Sequence, residues 1–174
     1  MRGTWIRAAA IPVGAQASAT NFGNLRLHGR SARQYPLSIR AQELWEAYET
    51  LTGEGCEIIR TGHLYFAGGP RGETQLRKDV ETATRFGVES QLLEGRALRD
   101  RFGFLSPRIR LAAFSPRSAV ANPRLSTPPV ARALARAGGT VIEGCEIAGF
   151  ELTASGFAVT SADGRRFEAP KLVN

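Results

Sequence analysis

Ala17-Ser18-Ala19-Thr20-Asn21-Phe22-Gly23-Asn24-Leu25-Arg26 is the stretch on which the reading of this chain turns. It opens a polar segment, Ser18 to Pro36, that contains glycine and asparagine and shows neither helical nor strand periodicity. Such a segment reads as a long ordered loop, and loops of that length usually carry function. Within it, Gly23 lets the backbone come close to a neighbouring group and take a positive φ, while Ser18 and Asn24 offer hydrogen bonds. On the residues alone, a turn chosen for solubility is the simpler account.

Downstream of the loop the periodicity becomes regular. Leu37, Ala41, Leu44, Trp45, Tyr48 and Leu51 recur at helical spacing after Pro36, a residue tolerated in a first turn, and Gly53 and Gly55 supply the stop. Glu57 to Arg60 and His63 to Ala67 read as adjacent strands bent at Thr61-Gly62, and Gly68-Gly69-Pro70 breaks the chain. Leu76, Val80, Ala83 and Phe86 mark an amphipathic helix closed by Gly87, and a shorter helix spans Gly95 to Phe102.

Leu111 to Val120 is extended, and Asn122-Pro123 opens a helix that runs to Gly138-Gly139. Strands follow at Thr140 to Ile142, Cys145 to Leu152 and Phe157 to Thr160, with Phe167 to Ala169 pairing back across a turn at Ala162-Asp163-Gly164-Arg165. Lys171 to Asn174 stops inside an apolar run, as a strand begins, which is unlike the end of a complete domain. This order of elements is that of an α/β protein with an inserted α+β region.

Composition excludes several classes of function. The 174 residues suffice for one domain with a core, and no stretch reaches the roughly 18 apolar residues that span a bilayer. Met1 to Gly14 lacks the apolar block of a secretory signal, which points to the cytoplasm. The net charge of +7 would suit a nucleic-acid partner, but only Lys78 and Lys171 are lysines and the arginines are spread along the chain without interleaved aromatics, so no nucleic acid is expected.

Cys56 and Cys145 have no ligand-like spacing and read as buried free thiols. His28 and His63 carry no metal motif and read as plain surface or partly buried histidines, so no metal site is expected. Gly-x-Ser-x-Gly and Gly-x-x-x-x-Gly-Lys are both absent, which removes the common hydrolase and kinase readings. Glu43, Glu46 and Glu49 lie on one solvated helix face, and no catalytic acid/base pair emerges.

The opening stretch also resembles the flavin loop of the D-amino-acid oxidase superfamily, which includes glycine oxidase, sarcosine oxidase and D-amino-acid dehydrogenase. Further likenesses follow in the family's order: Leu44-Trp45, Thr61-Gly62-His63-Leu64, Leu92-Leu93 before the Arg96 to Arg101 helix, Ala121-Asn122-Pro123-Arg124-Leu125, Gly138-Gly139-Thr140-Val141 and the terminal Leu172-Val173-Asn174. Together they cover nearly all of the chain from Ala15 to Asn174.

The resemblance implies part of a doubly wound FAD-binding domain, interrupted by an α+β substrate domain with a mixed or antiparallel sheet. Residues 1–55 would be a partial FAD-binding domain with its flavin loop at 15–35 and a helix at 37–53. Residues 56–122 would be a partial substrate domain, and residues 123–174 a return to the FAD-binding domain. Ala17 and Ser18 would lie along FAD, with Phe22, Gly23 and Asn24 near the isoalloxazine ring. Ile147 would meet the adenosine part or, alternatively, pack as an ordinary strand residue. Arg26 would face the flavin or a substrate carboxylate.

The family's Gly-x-Gly-x-x-Gly turn should lie about thirty residues or more before Ala17. Only sixteen residues precede it here, and they contain Gly3 and Gly14 alone. The expectation is therefore a fragment of an FAD-dependent oxidoreductase acting on the CH–NH bond of a small amine or amino acid, and inactive alone. The alternative expectation is a non-catalytic remnant or subunit that associates with another chain, and behind it stands a basic nucleic-acid-binding domain.

Overall fold

The computed structural model describes residues 6–8, 12–15 and 17–173. In chain order the elements are β1 (Ile6–Ala8), α1 (Ala17–Thr20), β2 (Asn24–Leu25), α2 (Tyr35–Glu46), α3 (Tyr48–Thr52), β3 (His63–Phe66), α4 (Pro70–Arg85), β4 (Gln91–Glu94), α5 (Gly95–Arg101), β5 (Leu111–Ser115), β6 (Ala119–Val120), α6 (Pro123–Arg136), β7 (Thr140–Ile142), β8 (Ile147–Thr153), β9 (Gly156–Ser161) and β10 (Arg166–Ala169). A single 3₁₀ turn, Ala32–Gln34, precedes α2. The architecture is mixed α/β with antiparallel sheets, and the chain divides into two compact units.

The first unit comprises Phe22–Thr50 and Gly55–Asn122. Its centre is an antiparallel sheet of order β3-β5-β4. All five residues of β5 are buried, as expected of a middle strand covered on both faces. One face of the sheet is covered by α4, whose Leu76 packs with Ala67, Leu111 and Ala113 while Val80 and Tyr65 flank them. Pro70 opens α4 and Gly87 follows it with φ 72, in line with the spacing of Leu76, Val80 and Ala83.

Three sequence expectations change between Ser18 and Ala67. The Ser18 to Pro36 segment is not loop throughout: it holds one turn of α1, the short strand β2 and the 3₁₀ turn. The 3₁₀ turn begins where the Ser31 backbone N–H donates to the Gln34 side-chain oxygen, part of a reciprocal cap whose Ser-x-x-Gln spacing stands in the sequence.

The helix expected to run through Leu51 breaks at Ala47 (φ −92°, ψ 8°), and its buried face is not the expected one. Tyr35 and Gln42 are buried, whereas Leu37 is 74% exposed and Leu44 is exposed. Tyr35 anchors a cluster with Leu27, Ala83 and Val88, and Gln42 donates to the Arg117 carbonyl at 3.3 Å. These contacts set the helix's rotation in place of leucine spacing. At the break, Tyr48 stacks on Trp45 with ring centroids 5.4 Å apart, and it packs with Cys56 and Ala121.

Glu57 to Arg60 is not a strand beside His63 to Ala67. It makes a single antiparallel bridge, Ile59 with Val120, and β3 pairs instead with β5, His63 opposite Ser115 through Phe66 opposite Ala112. The continuous apolar run of β5 is the better partner, because pairing there buries β5 completely and half-buries His63, Leu64 and Tyr65 of β3.

The second unit comprises the described residues of Met1–Asn21 together with Leu51–Glu54 and Pro123–Asn174. Here β1 and β7 pair in parallel, Ile6 opposite Thr140, and α1 packs on α6. Arg132 of α6 donates to both carboxylate oxygens of Glu54 at 2.8 and 2.6 Å. An antiparallel meander of order β10-β9-β8 completes the unit. The expected turn at Ala162 to Arg165 is present: the Gly164 N–H donates to the Ser161 carbonyl at 2.9 Å, and the Asp163 carboxylate accepts from the Arg165 side chain.

Cys56 and Cys145 are both buried and free, and burial raises the Cys56 thiol above its usual range. In native buffer the chain should therefore show essentially no fast reaction with a thiol reagent, and two reactive thiols in denaturant. Among the described residues no helix is long and apolar enough to cross a membrane, and no group of three potential metal ligands is found.

Candidate functional site

Gly23 anchors the candidate site. It is buried at φ 68, the positive value that its position in the loop suggests, and its carbonyl accepts the Ala121 N–H at 2.9 Å. Asn24 and Leu25 then pair with Val120 and Ala119, and the Leu27 N–H donates to the Ser118 hydroxyl at 3.3 Å. The run from Gly23 to Leu27 is thus stitched to residues 118–121.

Side-chain alternation does the rest. Leu25 packs with the Tyr48–Cys56 cluster and Leu27 with Tyr35, so the residues between and before them, Arg26 and Asn24, point the other way. There they line a cleft of about 500 Å³ with Arg30 and the β3 residues His63, Leu64, Tyr65 and Phe66. Phe22 is 92% exposed, so its ring plays no part in the core.

The cleft is positive. Among the described residues no carboxylate lines it, and Arg26 stands with its guanidinium carbon 5.4 Å from the centre of the Tyr65 ring. Burial, then the neighbouring Arg30 cation, lowers the Arg26 pKa, the direction expected when two cations share a partly desolvated place. Arg30 donates to the Arg26 carbonyl at 3.3 Å, and its Nε is buried without a hydrogen-bond partner among the described residues. Two guanidinium groups beside Leu64, Tyr65 and Phe66 suit an organic anion, above all a carboxylate attached to an apolar body.

Behind Tyr65 lie the two histidines. His28 is buried; its Nε2 is 3.2 Å from His63 Nδ1 and its Nδ1 is 3.3 Å from the Ser90 hydroxyl. Burial first, then His63 and Arg26, lowers the His28 pKa to about 4; burial and Arg26 lower that of His63. Both imidazoles are neutral near pH 7. The reading of His28 as a surface or partly buried residue is thus corrected: it is wholly enclosed, and its partner is the other histidine.

The remaining candidates lie in the second unit. Ala17 and Ser18 begin α1, where the Asn21 side chain donates to the Ser18 carbonyl at 2.6 Å. Ile147 starts β8 just before a register shift to Gly149 and is 41% exposed, so it is not packed as a core strand residue. Asn24 and Arg26 therefore share the cleft in the first unit, with Phe22 and Gly23 just before them in the chain; Arg30, His63 and Tyr65 line it too and His28 stands behind, although the sequence marks neither Arg30 nor Tyr65 and reads both histidines as plain. The alternation His63-x-Tyr65 is the one local signal of a shared face; the thirty-five-residue separation between His28 and His63 hides their pairing.

Fold and cleft define a mixed α/β protein with a tight glycine turn leading into an arginine-lined cleft. The model of the family described as DAO, FAD dependent oxidoreductase, matches residues 9–174, and the chain belongs to that family. It is 26% identical over 151 residues to N-methyl-L-tryptophan oxidase of Yersinia pestis (strain Pestoides F), a match covering 84% of this chain and 38% of the relative.

Solved structures share the fold. L-Amino acid deaminase from Proteus myxofaciens superposes with a TM-score of 0.80 at 17% identity over 92% of this chain and 37% of that one. Glycine oxidase from Geobacillus kaustophilus superposes with a TM-score of 0.78 at 21% identity over 95% of this chain and 46% of that one. The chain thus spans less than half the length of the relatives it matches.

Proposed function

We propose that this chain is part of an FAD-dependent oxidoreductase acting on the CH–NH bond of an amino acid or secondary amine. The observation that carries the reading is the cleft in which Asn24, one residue after the glycine turn, shares a wall with Arg26 and Arg30 in a member of this family. Residues 1–55 and 123–174 are read as parts of the FAD-binding domain and residues 56–122 as part of the substrate domain.

The flavin side of the cofactor fits what is present. Phe22 offers an exposed ring, Gly23 a backbone without Cβ at a positive φ, and Asn24 an exposed amide, and the fold's own core uses neither side chain. Ala17 and Ser18 would run along the cofactor and Ile147 would meet its adenosine end. When bound, a flavin supplies the two-electron acceptor for amine oxidation. Arg26 and Arg30 hold the carboxylate and so fix the orientation of the substrate, while Leu64, Tyr65 and Phe66 shield it from water.

The phosphate side does not fit. The sequence contains no Gly-x-Gly-x-x-Gly, the turn that sets a pyrophosphate on a helix N-terminus. We read the 174 residues as insufficient for tight FAD binding and for turnover. A second reading, association with another chain, is favoured by β8, where Phe150 and Leu152 are 65% and 77% exposed.

Reading the DNA on either side of the coding segment tests the proposal. A strand followed by Gly-x-Gly-x-x-Gly before Met1 and an Ala-Gly continuation after Asn174 are expected. Unrelated coding sequence on both sides would overturn it.

A further inference from the structure

We propose that His63 is a ligand-binding residue of the arginine cleft, and that His28, held by Ser90, is its positioning residue, deciding which ring nitrogen of His63 carries the proton. The inference rests on the carboxylate reading of that cleft and adds a residue and a proton arrangement to it. His63 lines the cleft with Arg26 and Arg30. Its Nδ1 is taken up by His28, and its Nε2 has no protein partner among the described residues.

The geometry restricts the protons. A 3.2 Å contact between two neutral imidazole nitrogens holds one proton, since two would repel and none would leave two lone pairs facing. Two arrangements satisfy this. In the first, the Ser90 hydroxyl donates to His28 Nδ1, His28 Nε2–H donates to His63 Nδ1, and His63 turns an Nε2–H outward. In the second, every bond is reversed: His63 Nδ1–H donates to His28 Nε2, His28 Nδ1–H donates to Ser90, and His63 turns a lone pair outward. Interconversion shifts one proton on each imidazole and rotates the hydroxyl, with no change in net charge.

A carboxylate in the cleft accepts hydrogen bonds and cannot donate them, so it selects the first arrangement. His63 then adds a neutral donor to the two charged ones. Tyr65 closes the assembly, with its ring centre 4.6 Å from that of His28 and 4.9 Å from that of His63, and so restricts the rotation of both imidazoles. The charged and titratable groups facing the pair are Arg26 and Tyr65; no carboxylate contacts it among the described residues.

Both arrangements give His28 and His63 the same tautomer, which is directly testable. Proton–nitrogen NMR of the histidine-¹⁵N-labelled chain near pH 7 should show matched tautomers, and titration with benzoate as the carboxylate probe should drive both to Nε2–H. The His28→Phe variant should bind benzoate about fivefold more weakly, the loss of one well-placed neutral hydrogen bond, and His28→Gln, which keeps a donor, should recover part of it. Unmatched tautomers in the unliganded chain would overturn the inference without any variant. If benzoate binds and Arg26→Gln abolishes binding while the His63 nitrogens do not respond, the cleft reading stands and the inference fails. If benzoate does not bind at all, the cleft reading falls and this inference falls with it.

Discussion

Gly62→Ala is expected to lower the unfolding free energy by about 3 kcal/mol, from two independent costs. Gly62 has φ 67, where a Cβ costs roughly 1–2 kcal/mol. That Cβ would also sit 2.3 Å from Cζ of Phe114. The ring is not free to yield. Phe114 is buried in the middle strand, its face is covered by the Arg101 guanidinium at 4.2 Å, and Phe102 lies 5.4 Å away. Overpacking of this kind costs about 1–3 kcal/mol. The backbone cannot withdraw easily either, because the Gly62 N–H donates to the Ser118 carbonyl at 2.9 Å. Urea unfolding followed by circular dichroism checks this, with Gly68→Ala as the control, since a Cβ there meets nothing within 4 Å. Equal midpoints for the two variants would show that the turn beneath Phe114 is not tight.

Acidification should destabilise the protein well above the carboxylate range. His28 has a folded pKa of about 4 against an ordinary 6.5. Its folded value is depressed, so the unfolded chain binds the proton first as the pH falls. Stability is fully present above pH 6.5 and is lost progressively toward pH 4. His63 is shifted in the same direction and adds to the loss. The expected total is about 2 kcal/mol, below the full linkage value because a protein interior relaxes around a new charge. Glu46, whose carboxyl is lowered chiefly by its hydrogen bond from Arg117, begins to lose stabilisation only as the unfolded carboxyl takes up a proton near its ordinary 4.5, so it adds little before the lower edge of this window. Denaturation midpoints between pH 7 and pH 4.5 should slope downward in the wild type and flatten in His28→Gln. A slope of the same size in the variant would place the acid sensitivity elsewhere.

Local chemistry made much of the fold legible from sequence. The spacing of Leu76, Val80 and Ala83 locates α4, Pro123 and Gly138-Gly139 bound α6, and Asp163-Gly164 marks the turn between β9 and β10, because each signal and its effect lie within a few residues. The two largest misses are long-range. Which face of α2 is buried depends on Tyr35 meeting Ala83 and Val88 about fifty residues on. That β3 pairs with β5 and not with Glu57 to Arg60 depends on a partner nearly fifty residues away.

The candidate site divides in the same manner. Gly23 and Arg26 stand out in the opening stretch, whereas nothing local distinguishes Arg30 from the other arginines. The histidine pair exists only because β3 and the segment after β2 fold together. Sequence likeness supplied the family, and the structure supplied the cleft that gives the likeness a chemical meaning.

On the proposed reading, Phe22, Gly23 and Asn24 meet the ring of a flavin, while the 174 residues contain no Gly-x-Gly-x-x-Gly to grip its pyrophosphate. Titrating the purified chain with riboflavin, FMN and FAD, and following the quenching of flavin fluorescence, tests it most directly. Binding of about 10 μM or weaker is expected, near-equal for the three flavins and diminished by Phe22→Ala, because the shared ring makes the contact. Sub-micromolar FAD binding, tens of times tighter than that of riboflavin, would contradict it.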